Sequence, residues 1–316
     1  MRITVLAGGV GGARFLRGLL AAARDAQVTV IGNTGDDITL FGLHVSPDLD
    51  TVMYTLGRGI SEEQGWGRSD ESFVVLEELA AYGAGPEWFD LGDRDLATHI
   101  WRTALLRDGQ PLSAVTARLC ERWQPGVQLL PMSDDRVQTQ VVIEQDAIPR
   151  TVHFQEWWVR LHAAVAAQRI IVAGAGQARP APGVLDAIDA ADLVLLPPSN
   201  PVVSIGAILA IPGIAEAVRR KTVVGVSPII AGAPVRGMAD ACLTAIGVQT
   251  TATAVAEHYG PDLLDGWLVD EQDKEAVDAP ELVGITVRAV PLYMTNLAAA
   301  AEIARAALEL AEEVTR

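Results

Sequence analysis

The chain has 316 residues, half of them hydrophobic, which is enough for a large core and for one large or two small domains. A net charge of −16 without a Lys/Arg-rich stretch argues against a nucleic-acid partner, and an acidic protein that takes an anionic substrate needs a cation between the two. Two cysteines, Cys120 and Cys242, stand far apart with no partner motif, which fits a reducing, cytoplasmic setting rather than a disulfide framework.

Residues 1–7 alternate β-branched and small side chains and predict a strand. Their apolar run is too short for a signal peptide. Gly8-Gly9-Val10-Gly11-Gly12 breaks it, and 13–24 has helical spacing with Phe15, Leu16, Leu19 and Leu20 on one side. Residues 27–31 read as a second buried strand. Strand, glycine turn, helix and strand make a βαβ unit, whose crossover is right-handed and whose strands are parallel. The middle reads differently. Helices are expected over 71–82, 93–107 and 112–122, and short strands over 127–130, 138–144 and 150–153. Farther on, strands at 169–172, 192–196, 222–226 and 284–290 alternate with helical stretches, and 262–281 reads as an acidic surface segment. The apolar C-terminal stretch is interrupted by Glu302, Arg305, Glu309 and Glu312, so it predicts an amphipathic helix and not a membrane span. The fold class expected is α/β: a doubly wound, Rossmann-like, mainly parallel sheet. Residues 1–58 and 169–316 form its core, and 59–168 an inserted, mainly helical subdomain.

Four clusters carry candidate chemistry. Gly9, Gly11 and Gly12 match the start of a dinucleotide fingerprint, but Arg14 stands where its third glycine belongs. The second strand ends at Gly32-Asn33, without the acid that would hold a ribose. A nicotinamide site is therefore disfavoured, and the cluster reads as a glycine turn at a helix N-terminus suited to phosphate, or else as a tight structural turn. Asn33-Thr34-Gly35-Asp36-Asp37 and Ser46-Pro47-Asp48-Leu49-Asp50-Thr51 bring four carboxylates to two loops at the carboxyl ends of strands. Such carboxylates repel unless a cation joins them, and hard oxygen ligands suit Mg²⁺. Capping and Asx turns would account for one or two of the four. Ser199-Asn200-Pro201 and Ser204-Ile205-Gly206 follow a buried strand and serve either a nucleotide or ordinary turn chemistry. Arg136, in Ser133-Asp134-Asp135-Arg136, offers a partner for phosphate. Trp157 and Trp158 offer rings for stacking, though core packing is the simpler reading. His99 and the other histidines lack zinc-ligand spacing, and no Ser-His-Asp elbow or P-loop lysine pattern occurs.

These segments, in this order, resemble the family of 2-phospho-lactate transferases of deazaflavin coenzyme biosynthesis, and within it the actinobacterial phosphoenolpyruvyl transferases. The resemblance runs from 7–14 through 33–37, 46–51, 91–99 and 154–160 to 198–206 and 227–230. It implies transfer of a phosphate-linked three-carbon acid from a guanosine diphosphate donor to the ribityl hydroxyl of the deazaflavin Fo, with release of GMP. The carboxylate cluster fits that reaction if Asp36 and Asp48 hold Mg²⁺ against the donor's diphosphate, with Asp37 and Asp50 either as further ligands or as supports behind them. Gly9, Gly11, Gly12, Asn33, Thr34, Ser199, Asn200, Ser204 and Gly206 would hold the nucleotide and phosphate half. Arg94, His99, Ser133, Asp134, Arg136 and Trp157 would face the acceptor on the inserted subdomain. A homodimer is expected by analogy. The competing reading is a non-enzymatic, nucleotide-sugar-binding regulator with a similar glycine-rich opening.

Overall fold

A computed structural model describes residues 1–315; Arg316, the last residue of the expected core, lies outside it. In chain order the strands are β1 (Arg2–Ala7), β2 (Gln27–Gly32), β3 (Ile38–Leu40), β4 (Leu43–Val45), β5 (Gln128–Pro131), β6 (Gln138–Gln145), β7 (Ile148–His153), β8 (Ala167–Ala173), β9 (Leu193–Leu196), β10 (Val223–Val226), β11 (Ile229–Ile230), β12 (Ala233–Pro234), β13 (Gly266–Val269) and β14 (Thr286–Ala289). Seven of them form one sheet in the order β14-β13-β10-β9-β1-β2-β5, and every pairing in it is parallel. The chain moves from β1 outward to β2 and β5, then returns to β9 on the other side of β1. The order reverses between β1 and β9, which opens a crevice at the carboxyl ends of those two strands.

Strand periodicity divides the core. Ile3, Val5 and Ala7 of β1 and Leu193 and Leu195 of β9 point to one face of the sheet, while Leu6, Val194 and Leu196 point to the other. The first face is covered by α1 (Gly9–Ala22), α2 (Pro47–Leu56), part of the helix Leu112–Trp123 and the C-terminal helix Leu297–Val314. The second face is covered by helices from Val184–Ala190 to Ala252–Tyr259. The C-terminal helix lies unusually close to α1, because a Cβ on Gly18 would sit 2.3 Å from the carbonyl of Ala300. No helix among the described residues is long and apolar enough to cross a membrane.

Three expectations change. The strand at 127–130, placed in the inserted subdomain, is β5, and it pairs with β2 at the edge of the central sheet. The stretch 59–168 is thus an excursion that re-enters the core. It carries α3 (Val74–Ala81), α4 (Asp93–Arg107) and α5 (Leu112–Trp123) before that strand. The strand at 169–172 is β8, and it belongs to a separate antiparallel sheet, β7-β6-β8. Its exposed Gln168 and Arg169 suit a half-solvated sheet rather than a parallel one covered on both faces. Within the acidic segment 262–281, Gly266–Val269 is fully buried as β13. Four apolar or small residues between Asp265 and Asp270 suffice for a short central strand, a signal that the surrounding charge hides.

Candidate active site

Four segments far apart in sequence meet at the β1/β9 crevice. Helix α1 starts at Gly9, four residues earlier than the periodicity of 13–24 suggests, so the glycines form its first turn. Gly9, at φ 65°, donates its N–H to Asp48 Oδ1 at 2.8 Å. Asp48 Oδ2 accepts from Asn33 Nδ2 at 2.9 Å, and Asn33 Oδ1 accepts from Gly35 N–H at 2.8 Å. Asn33 thereby ties the end of β2 to the first turn of α2. On the other side, Ser199 Oγ donates to the Gly8 carbonyl at 2.7 Å and accepts from its N–H at 3.2 Å. Small residues make this closeness possible. A Cβ on Gly11 would lie 2.3 Å from the Pro198 carbonyl oxygen, and one on Gly12 would lie 2.6 Å from Ser199 Oγ. Buried Ser204 packs against Gly8 in the same way.

The carboxylates here divide sharply. Asp36 is buried, and its Oδ1 has no hydrogen-bond partner. Burial, then the neighbouring charges of Asp48 and Asp37, push its carboxyl well above the usual range. Burial likewise pushes Asp48 up to about 6, against the hydrogen bonds from Asn33 and Gly9. Asp37 is raised by burial too, but its Oδ2 is held by Ser46 Oγ and His44 Nε2, each at 2.8 Å. Asp50 faces away from this group. It is clasped by both Nη atoms of buried Arg102, Nη1 to Oδ2 at 3.0 Å and Nη2 to Oδ1.

Among the described residues, no group of three or more His, Cys, Asp or Glu is placed to hold a metal ion. Of the two outer carboxylates, Asp50 is thereby removed as a direct ligand. Asp50 is neutralised by a guanidinium, and Asp37 is engaged through Oδ2 by Ser46 and His44, while its buried Oδ1, like that of Asp36, has no partner. Asp36 and Asp48 remain as two adjacent buried carboxylates with no cation of the protein's own. That donor set fits Mg²⁺, which commonly takes one or two carboxylates and completes its shell with substrate phosphate and water.

The chain matches the model of the family described as 2-phospho-L-lactate transferase CofD over residues 3–289. The chain belongs to that family. It is 68% identical over 316 residues to the phosphoenolpyruvate transferase of Streptomyces griseus, with 99% of each chain covered. It is 65% identical over 322 residues to that of Thermobifida fusca, again with 99% of each covered. Against that of Nocardia farcinica it is 57% identical over 319 residues, covering 98% of this chain and 95% of the relative. Among solved structures, protein BH3568 from Bacillus halodurans aligns with a TM-score of 0.63 at 17% identity, covering 97% of this chain and 99% of that one. That likeness shows the fold. The chain is accordingly an enzyme of the transferase class, and the non-enzymatic regulator reading falls.

The remaining expected residues of the transferase have mixed places. Asn200 accepts from the N–H groups of Val202 and Val203 at 2.9 and 3.2 Å, so its side chain caps the turn Pro201–Ile205. Gly206 continues that turn, where a Cβ would lie 2.8 Å from the Pro201 carbonyl. Thr34 is buried with an unpartnered Oγ1 beside Asn33. Arg94 and Arg136 are exposed. Ser133 Oγ donates to the Arg179 carbonyl at 2.6 Å, and Asp134 accepts from Ser113 N–H and Oγ at 2.6 and 2.8 Å, bracing the start of α5. Two residues expected at the acceptor lie inside the protein. Trp157 is fully buried, with its indole N–H on the Val165 carbonyl at 2.8 Å, whereas Trp158 is the partly exposed ring of the pair. His99 is buried with Nδ1 3.2 Å from Arg102 Nη1 and Nε2 3.3 Å from Asp95 Oδ2.

Sequence reading missed Arg102, Asp95 and Tyr54, whose hydroxyl donates to Asp95 Oδ1 at 2.6 Å. They complete a buried polar chain from Tyr54 through Asp95, His99 and Arg102 to Asp50. The i, i+4 spacing of Asp95 and His99 and the i, i+3 spacing of His99 and Arg102 mark one face of α4. That signal was present in the sequence.

Proposed function

We propose that the enzyme transfers a phosphoenolpyruvyl group from a guanosine diphosphate donor to the terminal ribityl hydroxyl of the deazaflavin Fo, releasing GMP. The observation that carries the proposal is the unpartnered, buried Asp36 Oδ1 beside Asp48, next to the first turn of α1 at the strand-order reversal. The identity to phosphoenolpyruvate transferases supports enolpyruvate over lactate as the three-carbon acid.

Phosphoryl transfer depends on positioning and charge neutralisation more than on covalent chemistry. Asp36 and Asp48 would hold Mg²⁺, which when bound neutralises charge on the donor's diphosphate. Asn33 and the Gly9 amide keep Asp48 in one orientation. Ser199 fixes the glycine turn, so that the first-turn amides of Val10 and Gly11, which lack intrahelical acceptors, stand ready for an anion. The donor's nucleotide would lie across the crevice, over the surface that this turn and the segment from Ser199 to Gly206 form together by direct contact. Trp158, not Trp157, is the indole available to a flat acceptor ring, with Arg94 and Arg136 as exposed cations on the same excursion.

The test is a fluorescence titration of Fo with and without Mg²⁺, followed by turnover with enolpyruvyl and lactyl guanosine diphosphates. Saturable Fo binding with Mg²⁺-dependent GMP release and faster use of the enolpyruvyl donor is expected. Failure of Fo to bind, with GDP and Mg²⁺ present, would remove Fo as acceptor.

A further inference from the structure

Arg14 breaks the dinucleotide fingerprint and has no role in the site described so far. It lies one helical turn beyond Val10, on the same side of α1. Beside Val10 sits a second arginine, Arg236, from a loop far along the chain. A Cβ built on Gly65 would lie 2.7 Å from Arg236 Nη1 and 3.2 Å from Val10 Cγ1, so residues 10, 65 and 236 meet at one point. The Gln64 carbonyl accepts from Arg236 Nη2 and aims the guanidinium there. Among the described residues, neither Arg14 nor Arg236 has a carboxylate within ion-pair distance, whereas Arg17, on the next residues of the same helix, pairs with Glu62 at 2.6 Å. Partial burial, then the like charge of Arg14, hold the Arg236 guanidinium below its usual range. Two like charges kept together without an acid are relieved by an anion between them.

We propose that Arg14 and Arg236 form an anion clamp beside the first turn of α1, which takes a phosphate or carboxylate group of the donor. Guanidinium groups suit this task, because each presents a planar fork of donors to two oxygens of one anion. The clamp lies at the Val10 side chain, whereas the next residue, Gly11, faces Pro198. Arg236 is carried by the exposed loop between β12 and the helix Ala239–Ala245, so the clamp closes only when that loop lies against Gln64 and Gly65. The inference rests on the donor reading given above.

The experiment is isothermal titration of wild type, Arg236→Gln, Arg14→Gln and Arg236→Lys with GDP and, separately, with phosphoenolpyruvate, in the presence of Mg²⁺. Arg236 is exposed, so Arg236→Gln should melt at the wild-type temperature. A loss of about 10-fold or more in GDP affinity in both glutamine variants, with partial recovery in Arg236→Lys, would assign the clamp to the donor's diphosphate. The same loss for phosphoenolpyruvate alone would assign it to the three-carbon acid. Unchanged affinity for both probes in both glutamine variants would overturn the clamp while leaving the donor reading intact. Wild type that binds neither probe would overturn the donor reading, and the clamp with it.

Discussion

Asp48 and Asp50 stand two residues apart in one short motif, yet they belong to different environments. Asp50 faces α4 and is closed by Arg102, with His99, Asp95 and Tyr54 extending the chain behind it. Asp48 faces the glycine turn beside Asp36, and neither has a cationic partner. A helix turns about 100° per residue, so two positions along α2 are enough to send one carboxylate to each side. The difference teaches how to separate structural from functional charge. A buried carboxylate matched by a guanidinium is part of the architecture. A pair left unmatched, with both carboxyls raised, awaits a ligand.

The comparison can be broken by removing each side in turn. Arg102→Met leaves Asp50 buried without a partner and should cost about 3–5 kcal/mol in urea unfolding, while Asp50→Leu with Arg102→Met should recover most of it. A loss below about 1 kcal/mol would show that the pair is not structural. Asp36→Asn should do the reverse, lowering turnover on the order of 10³-fold while leaving unfolding unchanged or slightly more favourable. An active Asp36→Asn enzyme would remove Asp36 from the chemistry.

Titration sharpens the same contrast. With its carboxyl raised to about 6 from 3.8, Asp48 keeps in the folded state a proton that the unfolded chain has released between those values. Metal-free protein should therefore gain stability as pH falls from 7 through 6, with the gain complete near the unfolded value. Relative to Asp48→Asn, that gain is on the order of 2–3 kcal/mol. A flat difference between the two proteins across this window would mean that Asp48 is not raised.

Two smaller effects concern the frame of the site. Gly11→Ala places a methyl group 2.3 Å from the Pro198 carbonyl, so it should cost about 1–3 kcal/mol and lower turnover by moving the turn. Equal thermal stability to wild type would show that the two segments separate easily. Asp134→Ala should cost about 1 kcal/mol through loss of its bonds to Ser113, with Fo affinity unchanged. Weakened Fo binding would instead return Asp134 to the acceptor surface.

Local pattern carried much of this protein. The βαβ opening, the glycine turn, the two carboxylate loops and the Ser199-Asn200 segment are contiguous, and their order places them at the carboxyl ends of strands. Hydrophobic periodicity and turn chemistry act over a few residues, so the sequence alone determined the fold class and which segments line the crevice. Only the tertiary structure decided which strands share the sheet, as for β5 and β13, and which charge meets which. Asp50 finds its guanidinium 52 residues away, and Trp157 rather than Trp158 is covered. Burial and ion pairing depend on what packs from elsewhere in the chain, which no short stretch of residues can specify.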